Sequence, residues 1–262
     1  NPSPKTNNLN TPWRKVLVSL GFGAIGLGIL STIAFFLIQV FNHKSPSVQT
    51  QQEITDINSD RSGSFVINPQ FDDAGDFSEG RSRVLARVGV NKKWGYIDKS
   101  GNFVIKPQFD RADDFSEELA RVEIDDKYGY IDKNGKFVIQ PQFDSAASFS
   151  EGLALVKVGD KDGYIDKSGN FVIKSQFYDA HNFSEELALV KVGDKYGYID
   201  KSGDFVIRPQ FYDAASFSEG LAWVKVGDKD GYIDKSGDFV IQPQFYDAHN
   251  FSEGLASVRI GN

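Results

Sequence analysis

Neither cysteine nor methionine occurs anywhere in the 262 residues. Without cysteine there is no disulfide, no thiolate metal site, no catalytic thiol and no lipid-modified cysteine. Methionine is missing even at the start, and Asn1 is too large for routine removal of an initiator, so the chain is expected to be a fragment or a trimmed product. Carboxylates are absent from residues 1–52, which carry Lys5, Arg14, Lys15 and Lys44. The rest therefore holds 25 of the 29 basic side chains and all 36 acidic ones, a net charge of −11. Such an excess repels phosphate backbones, so nucleic acid is not an expected partner. A glycine-rich nucleotide loop and a nucleophile elbow are both missing.

Charge is also absent from Val16 to Phe41, an apolar run of 26 residues. As a helix it would be about 39 Å long, against a hydrocarbon core of about 30 Å. A cleaved signal has a shorter apolar stretch and a small-x-small exit, so a single uncleaved transmembrane helix over 16–41 is expected. Arg14 and Lys15 precede the run and only Lys44 follows closely, which places residues 1–15 in the cytoplasm and the remainder outside the cytoplasmic membrane. Ala24, Gly28 and Thr32 form a small-residue stripe that would let two such helices pack as a dimer. Residues 42–63 are rich in Ser, Gln, Asn and Thr without hydrophobic period, and read as a flexible linker.

What the chain does have is a repeat. Gly-Tyr-Ile-Asp recurs at Gly95, Gly129, Gly163, Gly197 and Gly231, always 34 residues apart. A fixed period of that size means one small unit copied and stacked. In the copy around Leu187, Ala188, Val190 and Val192 share one face of a strand while Leu187, Leu189 and Lys191 share the other. Gly193-Asp194 suits a type II′ hairpin turn, and Tyr196–Asp200 is the second strand. Asp200-Lys-Ser-Gly203 suits a type I turn, and Asp204–Phe211 is the third strand. Pro209, near the end of that third strand, fits a sheet edge or a strand exit rather than a central position. Tyr212–Glu219 is expected to be a loop or one helical turn, with Ala214 and Phe217 plugging the core.

The predicted fold is therefore an all-β repeat array over 64–262, one three-stranded antiparallel meander per 34-residue unit. A lone third strand, Phe65–Phe71, precedes five complete units and a lone first strand, Leu255–Ile260, follows them. Split ends of this kind suit either a closed propeller-like ring or an open or curled solenoid. Units of three strands favour the solenoid, because propeller blades normally have four. A second period of 68 residues pairs His181-Asn182 with His249-Asn250, the mark of duplicated two-unit blocks.

The string Lys93-Trp-Gly-Tyr-Ile-Asp-Lys-Ser-Gly-Asn-Phe-Val-Ile-Lys-Pro-Gln-Phe109, followed by Phe115-Ser-Glu, resembles the WG (KWG) repeat family of bacterial proteins. The resemblance implies a β-rich add-on module, found in some proteins behind the membrane span of a receptor such as a serine/threonine kinase, and brings no catalytic residues. Only Trp94 keeps the signature tryptophan; Tyr128, Asp162, Tyr196 and Asp230 replace it.

Carboxylate pairs such as Glu117-Glu118 and Asp125-Asp126 are not unique, Glu117-Glu118 returning as Glu185-Glu186, whereas an acid/base pair is normally a unique constellation. Asp132-Lys-Asn-Gly135 superficially suggests calcium but lacks the dense oxygen ligands of an EF-hand loop. His181 and His249 would form a metal site only if folding brought them together, and no cofactor is expected. The candidate binding residues are the outward first-strand positions Arg87, Arg121, Leu155, Leu189, Trp223 and Ser257, together with Trp94. Their variation on a uniform scaffold suits partner recognition, with Trp223 as the anchor. The expected function is a membrane-anchored, non-catalytic binding or sensing module for a protein, peptide or envelope glycan. A carbohydrate-active enzyme on a closed ring and a structural spacer are the alternatives.

Overall fold

The computed structural model describes residues 15–19, 38–39, 67, 70–88 and 91–261. It divides into two compact units, Lys44–Pro209 in one and Asn1–His43 with Gln210–Asn262 in the other.

Every copy builds the same antiparallel sheet. In the second, Ala120–Ile124 pairs with Lys127–Ile131, which pairs with Phe137–Phe143. The three expected strands are joined by a fourth, the two-residue strand Arg111–Ala112, so the predicted three-stranded unit is corrected to four. The reason lies in the backbone of the first strand, whose outer N–H and C=O groups need partners. The segment expected to be a loop or helical turn supplies them: Ala146 lies opposite Val156, and the Ala147 N–H donates to Leu155 O at 2.9 Å. A count of three strands per unit is what favours an open array, and that premise does not hold. Among the described residues six such four-stranded sheets follow one another, none closing into a barrel or ring.

Third strands carrying Pro107, Pro141, Pro209 and Pro243 lie at the sheet edges, where a missing N–H costs least. The repeated glycine of the second strand is dictated by that neighbour. A Cβ on Gly129 would stand 2.6 Å from both Ile139 O and Pro141 N. No side chain fits there.

Directly after each glycine comes a tyrosine that forms the centre of the core. Tyr96, Tyr130, Tyr164 and Tyr232 have no exposed surface. The Tyr130 ring packs 4.9 Å from Phe149, and its hydroxyl donates to Ala147 O at 2.6 Å. Ala214 and Phe217 are buried as expected.

The apolar run at the N-terminus is described only at its two ends. Lys15–Ser19 is a strand paired with the last strand, Leu255–Arg259, and Ile38–Gln39 is a strand paired with it in turn. At those residues the helix expected over 16–41 is corrected. Val16 and Val18 are good strand formers, and the segment completes a sheet edge that would otherwise be open. The rest of the run, including Ala24, Gly28 and Thr32, lies outside the described residues, as does the linker over 42–63. Among the described residues no helix is long and apolar enough to cross a membrane.

Candidate functional site

The first glutamate of the recurrent turn is consumed by the scaffold at Glu79, Glu117, Glu151 and Glu219. Glu117 and Glu118 occupy the two central positions of a tight turn at φ 51° and 75°, left-handed values that cost an ordinary side chain roughly 1–2 kcal/mol each. The turn is closed by Ser116 N–H to Leu119 O at 2.9 Å. What offsets the strain is a link to the following copy: the Glu117 carboxylate accepts the Gly152 N–H at 3.0 Å and pairs with Lys167 at 3.1 Å. Glu79 does the same with the Glu118 N–H and Lys133, and the Lys133 ammonium beside it holds its carboxyl below the usual value. The serine before each glutamate adds a second rung, with Ser116 Oγ donating to Phe149 O at 2.9 Å.

Asp132 is likewise spent locally, its Oδ1 accepting the Asn134 and Lys136 N–H groups at 2.9 Å each. These turns are hairpin chemistry, not calcium loops. His181 and His249 contribute backbone carbonyls to Tyr164 and Tyr232 while their rings stay exposed. Among the described residues no group of three or more His, Cys, Asp or Glu side chains could hold a metal ion.

The first-strand positions predicted to face outward do not all do so. Leu189 is only 1% exposed, and Leu155 and Trp223 are partly buried against neighbouring core clusters. Arg121 pairs with Asp113 at 2.7 Å, donates to Ala146 O and lies over the Tyr128 ring. Ser257 is half-buried, and the side chain of Arg87 lies outside the described ones. Val192, expected to face inward, is exposed. Burial on both faces explains the reversal: Ala188 and Val190 lie in a core cluster while Leu189, on the other face of the same strand, is buried too, so strand alternation does not separate core from solvent here. Trp94 is half-buried against the cluster around Tyr96.

The position held by that tryptophan becomes acidic in two later copies. Asp162 and Asp230 are buried, and burial pushes both carboxyls above the usual range although Lys157 and Lys225 stand 3.5 and 3.6 Å away.

The exposed, variable position is a different one, immediately after the last phenylalanine of each third strand. It reads Asp72, Asp110, Asp144 and then Tyr178, Tyr212, Tyr246. In the early copies the aspartate is a fastener. Asp144 pairs with Lys127 and accepts the Gly159 N–H at 2.7 Å, and Asp110 pairs with Lys93 and accepts the Asp125 N–H at 3.3 Å. Lys127 and Lys93 hold these carboxyls below their ordinary value. Tyrosine gives up the carboxylate bridge and exposes its ring: Tyr178 is 64% exposed, Tyr212 60% and Tyr246 45%. Lysines covering one ring face remain, Lys161 at 2.7 Å from the Tyr178 centroid and Lys229 at 2.9 Å from that of Tyr246. The switch from Asp to Tyr is visible in the sequence, but only the structure shows that this position faces solvent.

The family described as WG containing repeat matches residues 59–94, 94–128, 128–161, 163–196, 196–229 and 231–262. A comparison with curated proteins finds no match. Among solved structures, a chain described as the extracellular domain of a hybrid two component system from B. thetaiotaomicron is 9% identical, with 86% of this chain and 36% of that one covered at a TM-score of 0.35. A plant lectin with two metal binding sites from Cicer arietinum is 15% identical, covering 49% and 87% at 0.23. The hemopexin fold protein CP4 from cow pea is 15% identical, covering 51% and 90% at 0.24. Likenesses at this level carry no functional argument.

Proposed function

We propose that this chain, which belongs to the WG-repeat family, is a non-catalytic recognition module that holds a protein, peptide or glycan partner through exposed tyrosines, Tyr178 in one compact unit and Tyr212 and Tyr246 in the other. One observation carries the reading. In three successive copies a fastening aspartate is exchanged for a solvent-facing tyrosine, which gives up a carboxylate link and exposes a large aromatic ring. Exposed aromatic rings provide anchor area at little cost in conformational freedom. The carboxylate pairs offer no competing acid/base site, because their bonds are spent on turns and links between copies.

The test follows from the early copies. Aspartate already stands at positions 72, 110 and 144, so the triple variant Tyr178→Asp, Tyr212→Asp, Tyr246→Asp retains the fold. Against peptide and glycan panels it should bind at least tenfold more weakly than the parent at an unchanged unfolding midpoint. Equal binding would remove these tyrosines from the function.

The second part of the proposal is a tether: residues 16–41 anchor the module in the cytoplasmic membrane, with the N-terminus inside and the repeats outside, as part of a receptor. Arg14 and Lys15 support this topology. Insertion would release Lys15–Ser19 from Leu255–Arg259, since the two would lie on opposite sides. Protease added to intact spheroplasts should then digest the chain beyond about residue 45. Full protection would reverse the topology.

A further inference from the structure

The three tyrosines share a chemical setting that narrows the ligand, an argument that rests on the reading of them as recognition residues. We propose that each Tyr-Asp pair, Tyr178-Asp179, Tyr212-Asp213 and Tyr246-Asp247, is a subsite for one sugar ring of an uncharged polysaccharide.

Three observations converge. The rings are exposed, yet Tyr178 and Tyr246 each have one face taken by the protein's own ammonium, Lys161 or Lys229. That contact fixes the ring and leaves a single flat apolar face. It also disfavours a cationic ligand, whose lysine or arginine would have to approach a ring already carrying a positive charge. Next, the residue after every exposed tyrosine is an aspartate with acceptor capacity. Asp213 spends Oδ1 on the Ala214 N–H at 3.0 Å, and Asp247 lies 4.0 Å from His249 with 53% of its side chain exposed. Asp179 accepts the Tyr196 hydroxyl at 2.7 Å on Oδ2. An ionised carboxylate offers about four lone-pair sites, so each retains room for ligand hydroxyls. Lastly, residues 53–262 carry a net charge of −11, which repels anionic polymers.

A ligand that suits an apolar platform, donates several hydroxyls to a carboxylate and carries no charge of either sign is a pyranose ring. Tyr212 and Tyr246 stand in consecutive copies of one compact unit, which points to a chain of such rings rather than a single sugar. Each subsite is weak alone, and linkage within one polymer makes the later contacts intramolecular.

Affinity electrophoresis of the full chain, in mild detergent, tests this in gels cast with hydroxyethylcellulose, laminarin, dextran or galactomannan. At least one should retard the parent. The triple Tyr→Asp variant should need at least tenfold more of that polymer for the same retardation. Carboxymethylcellulose, which adds negative charge to the same glucan backbone, should retard the parent less than hydroxyethylcellulose if the β-1,4-glucan is the ligand. Failure of all four uncharged polymers, or equal retardation of parent and variant, overturns the proposal. A fluorescent oligolysine peptide separates the two levels. Tyrosine-dependent binding of that peptide with no polysaccharide binding would reject the glycan while keeping the recognition surface. No tyrosine-dependent binding to any of these probes would remove both.

Discussion

Replacing Gly129 by alanine provides a test of the packing with an unambiguous sign. An alanine that the backbone accepts usually stabilises a protein by about 0.4–1 kcal/mol, because it narrows the unfolded ensemble. At Gly129 the added methyl would meet Ile139 O and Pro141 N at 2.6 Å, both backbone atoms of the adjacent strand. Contacts of that kind should open to well over 3 Å, so the third strand would have to withdraw by more than half an ångström along a ladder that includes Phe143, 2% exposed. Overpacking costs about 1–3 kcal/mol, and at the upper end, expected where both clashing atoms are backbone, a net loss of about 2 kcal/mol remains after the usual gain is subtracted. Gly152 is the control. It sits at φ +86° with no atom within 4 Å of where a methyl would stand, so alanine there meets left-handed strain of about 1–2 kcal/mol and nothing else. Glutamate occupies the matching positions at Glu118 and Glu186, at φ 75° and 73°, so that strain is tolerable. Urea unfolding of both variants, followed by circular dichroism, should give the lower midpoint to Gly129→Ala. A Gly129→Ala midpoint at or above that of Gly152→Ala would refute the close approach of the two strands.

Other consequences follow from the core and the buried acids. Tyr130→Phe leaves the part-buried Ala147 carbonyl without its 2.6 Å donor and should cost about 1 kcal/mol, read as a lower unfolding midpoint. Trp223→Ala should lower stability by about 2 kcal/mol or more, because the indole packs against the cluster of Tyr232, Phe245 and Phe251; an unchanged midpoint would return this residue to the surface. Asp162 and Asp230 have folded pKa values above their unfolded ones, so the folded state binds the proton more tightly. Their contribution is full below the unfolded value and is lost as pH rises through the folded one. The double variant Asp162→Asn, Asp230→Asn should therefore gain stability relative to the parent between acid and neutral pH. A difference independent of pH would contradict the raised values.

Much of this architecture is legible in the sequence, and the exceptions have physical causes. Period, turn and strand signals at Gly193-Asp194 and Asp200–Gly203 are local, set by φ preferences and alternation, and the first three strands follow from them. The positive φ at Gly193, absent at Asp194, is what the expected type II′ turn requires. The fourth strand is only two residues long and has no periodicity to detect; Asp213–Ala214 becomes a strand because the backbone of Ala222–Val226 needs a partner, a tertiary demand. The same holds for the face of the first strand. Leu189 and Trp223 alternate with valines as surface residues would, yet packing covers both sides of the strand, and alternation is silent about how many neighbours a sheet has.

The variable positions separate into two kinds once their surroundings are known, and that separation bears on function. Substitution of the signature tryptophan by Tyr128, Asp162, Tyr196 and Asp230 occurs between packed strands, where the replacements meet protein groups: Tyr196 donates to Asp179 at 2.7 Å, and Asp162 approaches Lys157 at 3.5 Å. Variation there is accommodation within the array. The change from Asp144 to Tyr178 keeps a lysine, Lys161 over the ring, but the ring cannot take the backbone N–H that the carboxylate held, and 64% of Tyr178 faces water. A copied scaffold that gives up a fastener in three consecutive copies, each time for the same exposed aromatic, has diverged where a ligand can reach it. The packed tryptophan position has diverged where only its neighbours can.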